Sequence, residues 1–360
     1  MPSKIYSVIT GTGSYIPKQV IKNTDFLQHN FYEKDGTPIK KSNQEVIDKF
    51  EEITTITERR YVEDEYLTSD IAFFAAEKAI ENANIDKEEL DHIIVAHNFG
   101  DTTPTSKQVD IIPSIAAKVK FHLKIKNPNC VAYDLLFGCP GWVQGMIQAD
   151  YYIKSGDAKK VLVIGAETLS RISDPNDRDS MIYSDGAAAT ILEAKDSEIP
   201  IGIIGHKTRT DSYSHSKMLT MGASYKNDSS TNNEIYLKMN GRRLYQYALE
   251  TVPQTVKECL DVQGIHPAEV KKLLIHQANG KMDDAILQRL FKLYEIDEIP
   301  ADFMPMTIAK LGNSSVATIP TILDLIKRDK LPPHNINNGD TILFASVGGG
   351  MHINVIVYKA

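Results

Sequence analysis

Cysteine is scarce: the 360 residues hold three, Cys130, Cys139 and Cys259. Three thiols cannot build a disulfide framework and no Cys-x-x-Cys spacing offers a zinc site, so a reducing cytoplasm is the expected setting. No apolar run approaches the ~20 residues that span a bilayer. The N-terminus, from Met1 to Val8, lacks the apolar core of a secretory signal. Positive charge is not in excess: 40 Lys and Arg against 47 Asp and Glu leave −7, which argues against a nucleic-acid binder. The stretch Gly11-Thr-Gly13-Ser-Tyr-Ile-Pro17 lacks the third glycine of a dinucleotide fingerprint, and Pro17 blocks the helix needed there. No Gly-x-Ser/Cys-x-Gly elbow of a hydrolase occurs. The acidic loop Ser173 to Ser180 lacks the Gly and the closing Glu of an EF-hand. What remains, 42% hydrophobic and 24% charged, is an ordinary soluble composition with room for two domains or one duplicated one.

The chain does have a regular alternation. Short β-branched runs at 5–10, 92–97, 131–136, 160–165 and 187–192 are separated by helical periods. One helix is expected from Thr68, with Ser69 and Asp70 as caps and Ile71, Phe74, Ala75, Ala79 and Ile80 on one face. Others are expected over 111–123, with Pro113 in the first turn, and over 140–154. The second half repeats the grammar, with strands at 201–205, 270–275, 341–346 and 353–358 and helices at 241–262, 283–293 and 316–326. This predicts βαβ units, a mostly parallel sheet covered on both faces, and two similar halves, 1–200 and 201–360. Residues 28–45, polar and broken by Asp35-Gly36 and Pro38, read as a surface excursion.

One stretch organises the rest: Phe137-Gly-Cys139-Pro-Gly-Trp142, between the apolar run 130–136 and the helical run 143–153. Proline directly after the cysteine suits a first helical turn, which puts Cys139 at a helix N-terminus where a strand ends. Unpaired N–H groups and the positive end of the helix dipole favour thiolate there. Lowering a thiol pKa from ~8.5 to ~7 raises the thiolate fraction at pH 7 from ~3% to about half, for ~2 kcal/mol. The stretch alone leaves two readings open, a nucleophile and a buried structural cysteine.

Three further stretches are polar or Gly-rich where their flanks are apolar. They are Leu273-Leu-Ile-His276-Gln277-Ala278-Asn279 at a strand end, Leu311-Gly-Asn313-Ser-Ser315 before a helix, and Val347-Gly-Gly-Gly350 after a strand. In open α/β sheets the ligand crevice lies beyond the C-terminal ends of strands, where Cys139, His276 and Asn313 all fall. Each stretch has an ordinary structural explanation by itself; together with the cysteine they describe a site.

The chain resembles a β-ketoacyl-acyl-carrier-protein synthase III, one of the thiolase-like condensing enzymes. The resemblance runs from Gly11–Pro17 through Ile56-Thr-Glu-Arg-Arg60, Tyr152-Ile-Lys-Ser-Gly156, Asp174-Pro-Asn-Asp-Arg178 and Asp185-Gly-Ala187. It closes with His276-Gln-Ala-Asn279, Gly312-Asn-Ser314 and Gly348-Gly-Gly350. It implies an α/β protein with a thiolase-like duplicated αβαβα five-layer fold, the nucleophilic Cys in residues 1–200 and the His and Asn in 201–360. It also implies a homodimer without metal or cofactor, its substrates carried on acyl carrier protein or coenzyme A. Cys139 matches the nucleophile that takes an acyl group from a thioester. His276 and Asn313 match the donors that hold the second substrate's enolate oxygen, a role suited to neutral N–H groups. The backbone N–H groups of Cys139 and Gly350 match the oxyanion hole.

The chain also departs from that pattern. The tryptophan and arginine that contact coenzyme A have their counterparts within Glu45 to Ile53, with Ile53 at the arginine's place. Arg178 matches the other coenzyme A arginine and Asn279 a second active-site asparagine, while Arg242 stands where asparagine is usual. Carrier-bound or unusual thioesters are therefore expected, with Arg242, Arg243, Lys272 and Lys281 as the docking patch for an acidic carrier protein. Ile112, before Pro113-Ser114, replaces a phenylalanine that closes the acyl tunnel from the partner subunit. Acyl chains longer than acetyl are expected, unless Trp142 refills the space. The implied reaction is Claisen condensation of a Cys-bound acyl group with a malonyl thioester, in fatty-acid or related lipid or polyketide biosynthesis. The alternative joins a β-ketoacyl thioester to an α,β-unsaturated one by Michael addition and ring closure, giving a cyclohexanedione, precursor of dialkylresorcinols. The reading from another class is a non-catalytic acyl-chain binder.

Overall fold

The computed structural model of the chain describes residues 3–106, 108–226 and 234–360. The first half contains β1 (Lys4–Tyr15), β2 (Gln19–Lys22), α1 (Asn43–Thr54), β3 (Glu58–Tyr61), α2 (Thr68–Ala83) and β4 (His92–Ala96). It continues with α3 (Ile115–His122), β5 (Val131–Leu135), α4 (Gly141–Ser155), β6 (Lys160–Thr168) and β7 (Asp185–Ser197). The second half contains β8 (Gly202–Thr210), α5 (Ser212–His215), β9 (Leu219–Ala223), β10 (Ile235–Met239), α6 (Gly241–Gln263) and β11 (Val270–Ile275). It ends with α7 (Gly280–Lys292), α8 (Ile308–Leu311), α9 (Thr318–Lys327), β12 (Thr341–Gly348) and β13 (His352–Lys359).

One sheet has the order β1-β7-β6-β4-β5 and the other β11-β12-β13-β8. Read outwards, β1-β7-β6-β4 recurs as β8-β13-β12-β11, so the two sheets repeat one topology on either side of residue 200. β4 runs parallel to β5 and β6, and β11 parallel to β12; the remaining pairs are antiparallel, so the sheets are mixed and not mostly parallel as expected. Strands apolar on both faces belong between helical layers, and these are. Ile93 and Val95 of β4 face the cluster with α2 and α3, while Ile94 faces α4 and α9. In β12, Leu343 and Ala345 face α6 and α7, while Ile342 and Phe344 face the same α4–α9 layer. The layers are therefore α2/α3, sheet, α4/α9, sheet, α6/α7, the five-layer αβαβα arrangement of the thiolase-like fold.

Several local expectations change. α3 begins at Ile115 because Ser114 caps it, accepting the Ala117 N–H at 3.1 Å; Pro113 lies outside the helix. The 28–45 excursion is held down: the Tyr32 N–H donates to the Asn176 carbonyl at 2.9 Å. It leads into α1, started by a reciprocal cap in which Glu45 accepts the Ser42 N–H at 2.9 Å. β9 and β10 form a hairpin that alternation alone did not mark. Among the described residues, no helix is long and apolar enough to cross a membrane.

Candidate active site

Strand ends bring the site together. Cys139 follows β5, His276 follows β11, Asn313 sits between α8 and α9, and Gly348 closes β12. All four line one cavity of about 370 Å³ whose other walls are mainly Leu, Met and Phe. Helix α4 starts at Gly141, with Pro140 at its cap, so Cys139 stands one residue before the cap. The turn needs Gly138, which has φ +66°. A Cβ at Gly138 would lie 2.7 Å from the Gly349 nitrogen, and one at Gly348 would lie 2.6 Å from the Cys139 nitrogen. Backbone amides of the two loops therefore meet beside the sulfur.

Burial pushes the Cys139 thiol up to about 11, and the Glu167 carboxylate pushes it the same way. The Ser315 hydroxyl, donating to Sγ at 3.4 Å, and the cysteine's own amide pull it down. The thiolate expected from a helix terminus is thus not the resting form; loss of solvent outweighs the donors. Burial also drives His276 down to about 4, against a backbone hydrogen bond with Ser315, so the imidazole is neutral near pH 7. Asn313 Oδ1 accepts the Ser315 N–H at 2.8 Å, which leaves the amide N–H groups free to donate. A polar string supports the sulfur from behind. The Asn98 amide donates to Glu167 Oε2 at 2.5 Å and to Ser315 Oγ at 3.3 Å. Burial raises Glu167 to about 7, with His97 and Asn98 pulling it back.

A second cavity, about 480 Å³, meets the first at Met239, Leu244, Ala278, Met282 and Asn313. Its outer wall carries Lys41, Lys49, Ile53, Arg178 and Arg242. Asn279 lines it while capping α7, its Oδ1 accepting the Met282 N–H at 3.0 Å. Arg178 pairs loosely with Glu33 at 3.5 Å. Arg243 is exposed, as is Lys281, which lies 3.9 Å from Glu52.

Three expectations need correction. Trp142 lines neither cavity: it is 1% exposed, stacks edge-on against Phe344 and donates to Thr190 at 3.3 Å. As the second residue of α4 it points into the central layer. Lys272 is buried in β11 with its ammonium on the Asp302 carbonyl, so it cannot dock a partner. Gly350, at φ +78°, does not line the cavity, whereas Gly348 and Gly349 do. Ile112, whose expected place is in the tunnel of the partner subunit, is 85% exposed. Sequence reasoning missed Asn98 and Glu167 and gave Ser315, inside the stretch it singled out, no role. An acid inside the apolar run of β6 was the available signal for Glu167.

This cavity and the duplicated five-layer fold place the chain among the thiolase-like condensing enzymes, acyltransferases by reaction class. The family described as 3-Oxoacyl-[acyl-carrier-protein (ACP)] synthase III matches residues 133–212, and its C-terminal counterpart matches residues 260–360. The chain is 35% identical over 347 residues to "Beta-ketoacyl-[acyl-carrier-protein] synthase III 1" of Vibrio vulnificus, covering 96% of this chain and 97% of that one. It is 33% identical over 353 residues to the synthase III of Xanthomonas euvesicatoria, covering 97% of each. The crystal structure of 3-oxoacyl-[acyl-carrier-protein] synthase III from Aquifex aeolicus superposes with a TM-score of 0.78 at 31% identity, covering 98% of this chain and 100% of that one. The chain belongs to the β-ketoacyl-[acyl-carrier-protein] synthase III family.

Proposed function

We propose that this chain makes β-ketoacyl thioesters by decarboxylative Claisen condensation in fatty-acid or related lipid biosynthesis. The observation that carries this reading is the meeting of Cys139, His276 and Asn313 in one apolar cavity. Cys139 Sγ attacks an acyl thioester and expels the carrier thiol; the amides of Cys139 and Gly349 hold the oxyanion. A malonyl thioester then loses carbon dioxide. Neutral His276 and the Asn313 amide donate to its enolate oxygen, and the enolate carbon attacks acyl-Cys139, releasing the sulfur. The basic outer cavity suits a phosphopantetheine arm, and Arg242, Arg243 and Lys281 suit an acidic carrier protein. Substrates arrive on that carrier and no resident cofactor is needed. Three free cysteines fit a cytoplasmic setting.

A homodimer completes the site in this reading. β5 is a sheet edge, and Val109, Ile111 and Ile112 are exposed apolar residues. Leu136, 63% exposed, also lines the inner cavity, so the cavity reaches the surface at the end of that edge strand.

The cyclohexanedione-forming reaction is the second reading. Ile53, an aliphatic residue on the outer wall where the family has an arginine, favours it. Intact-protein mass spectrometry of the wild type and Cys139→Ala decides between them. Three sets are compared: acyl plus malonyl, β-ketoacyl alone, and β-ketoacyl plus enoyl thioesters. A Cys139-dependent adduct with product only from the malonyl set supports the first reading. Ring product without malonyl supports the second. No adduct with any thioester leaves an acyl-chain binder.

A further inference from the structure

One buried acid behind the inner cavity has no part in the proposed reaction. Glu167 follows the apolar run of β6 and is 1% exposed. Both of its oxygens are taken by one residue: Oε1 accepts the Asn98 N–H at 3.3 Å, and Oε2 accepts from Asn98 Nδ2 at 2.5 Å. The same Nδ2 donates to Ser315 Oγ at 3.3 Å, and Ser315 Oγ lies 3.4 Å from Cys139 Sγ. The contacts thus run atom by atom from Glu167 to the sulfur.

What Glu167 can decide is their direction. Ser315 has one hydroxyl hydrogen, to give either to Sγ or to Asn98. The Asn98 amide has an NH₂ end and a C=O end of nearly one shape, and only the NH₂ end leaves the Ser315 hydrogen to the sulfur. A carboxylate has no hydrogen to give. At pH 8 Glu167, which burial raises to about 7, is mostly ionised and meets Asn98 through hydrogens alone. It therefore draws Nδ2 towards itself and, because the same nitrogen reaches Ser315, fixes what Ser315 meets. Glutamine would fill this space without a buried charge, and without the carboxylate that opposes the Cys139 thiolate. It could not accept at both positions.

We propose that Glu167 is a positioning residue: by accepting at both oxygens it fixes the orientation of the Asn98 amide, which turns the Ser315 hydrogen to the Cys139 sulfur. The proposal goes beyond the proposed function and rests on that reading only in taking Cys139 as the nucleophile.

Glu167→Gln keeps the shape and tests the direction. Its new NH₂ must face one of two Asn98 donors. The backbone N–H cannot turn round, but the side-chain amide can, and its flipped oxygen would take the Ser315 hydrogen from Sγ. Wild type, Glu167→Gln, Ser315→Gly and the double variant are compared by iodoacetamide alkylation at pH 8, read by intact-protein mass spectrometry. Cys139→Ala gives the background from Cys130 and Cys259. Loss of the carboxylate charge acts with or without the hydroxyl and cancels in the cycle. Ser315 is expected to alkylate about 10- to 100-fold faster than Ser315→Gly when Glu167 is present, and this advantage is expected to shrink about tenfold in Glu167→Gln. A merely structural role would slow both backgrounds alike; an advantage that is absent from the wild type or does not shrink overturns the proposal. Asn98→Ala serves if Glu167→Gln does not fold. It is expected to slow alkylation about 3- to 10-fold with Ser315 and not with Ser315→Gly, and equal effects in the two overturn the proposal. Octanoyl-pantetheine is offered to the wild type alongside. An acyl adduct on Cys139 with an undiminished advantage leaves the proposed function standing and this inference overturned. A shrinking advantage without any acyl adduct puts the failure in the proposed function alone.

Discussion

Cys139 sits in surroundings that work against its own ionisation, and the Ser315 hydroxyl and the cysteine's own amide only partly offset them. Burial holds the thiol near 11, while Ser315 donates to it, and Ser315 is in turn approached by Asn98. Thiolate is the reactive form, so iodoacetamide alkylation of Cys139 should rise about tenfold per pH unit through the neutral range, without a plateau below pH 9. A plateau near pH 7 would show that the helix terminus dominates after all. Ser315 has φ +53°, a conformation glycine adopts freely, so Ser315→Gly removes the hydroxyl without backbone strain. That variant should keep its melting temperature and alkylate about 10- to 100-fold more slowly at pH 8, the value of one hydrogen bond to a charged group. His276→Ala or Asn313→Ala should lower kcat for condensation by about 10²–10³ while leaving acylation of Cys139 largely intact, since each removes a donor from the enolate. An equal loss in both steps, measured by single-turnover mass spectrometry, would place them in acylation instead.

At the scale of elements, two loops from different sheets are locked face to face. Gly348 at the end of β12 has φ −172°, which any residue can adopt, so its need for hydrogen is purely steric. A methyl there would meet the nitrogen and Cβ of Cys139 and Cδ of Pro140, at 2.6, 2.8 and 2.8 Å, none of which can swing aside. Gly348→Ala should therefore cost about 1–3 kcal/mol of stability by overpacking, and acylation should fall far more than the melting temperature suggests. Matched losses in both would make the effect one of folding alone. The helices with continuous apolar stripes, α2, α4 and α6, were legible from period, because burial follows the stripe. α1 was not. Its apolar residues are few, and its Ser42–Glu45 cap was the local signal. The β9–β10 hairpin escaped because Leu219, Met221 and Leu237, which line the cavity, are only half-buried or exposed and leave no clean apolar alternation.

At the scale of the molecule, the proposed homodimer would cover the β5 edge and the exposed Val109, Ile111 and Ile112. Ile112→Asp should give monomer in size-exclusion chromatography with light scattering and lose activity with it, because a charge at a buried position is not tolerated without a partner. A stable, active monomer would remove the partner subunit from the proposed site. Reversing Arg242 and Lys281 together to glutamate should raise KM for carrier-bound substrate severalfold and leave a pantetheine substrate unaffected, with the difference shrinking at high salt. Unchanged KM would sink the docking patch.

The sequence alone determined the order of strands and helices and the three chemical groups, while the five-layer stacking was implied by the family resemblance. Alternation of apolar periods is a local property, and polar residues at strand ends stand out against apolar flanks. It could not decide direction or distance. Whether Trp142 faced substrate or the central layer, whether Lys272 reached solvent, and which of three successive glycines met the sulfur all depended on how the two sheets pack across α4 and α9. The ionisation of Cys139 was decided in the same way. The helix terminus is written in Cys139-Pro140, but the solvent that would have favoured its charge is removed only when residues far apart in sequence close the cavity.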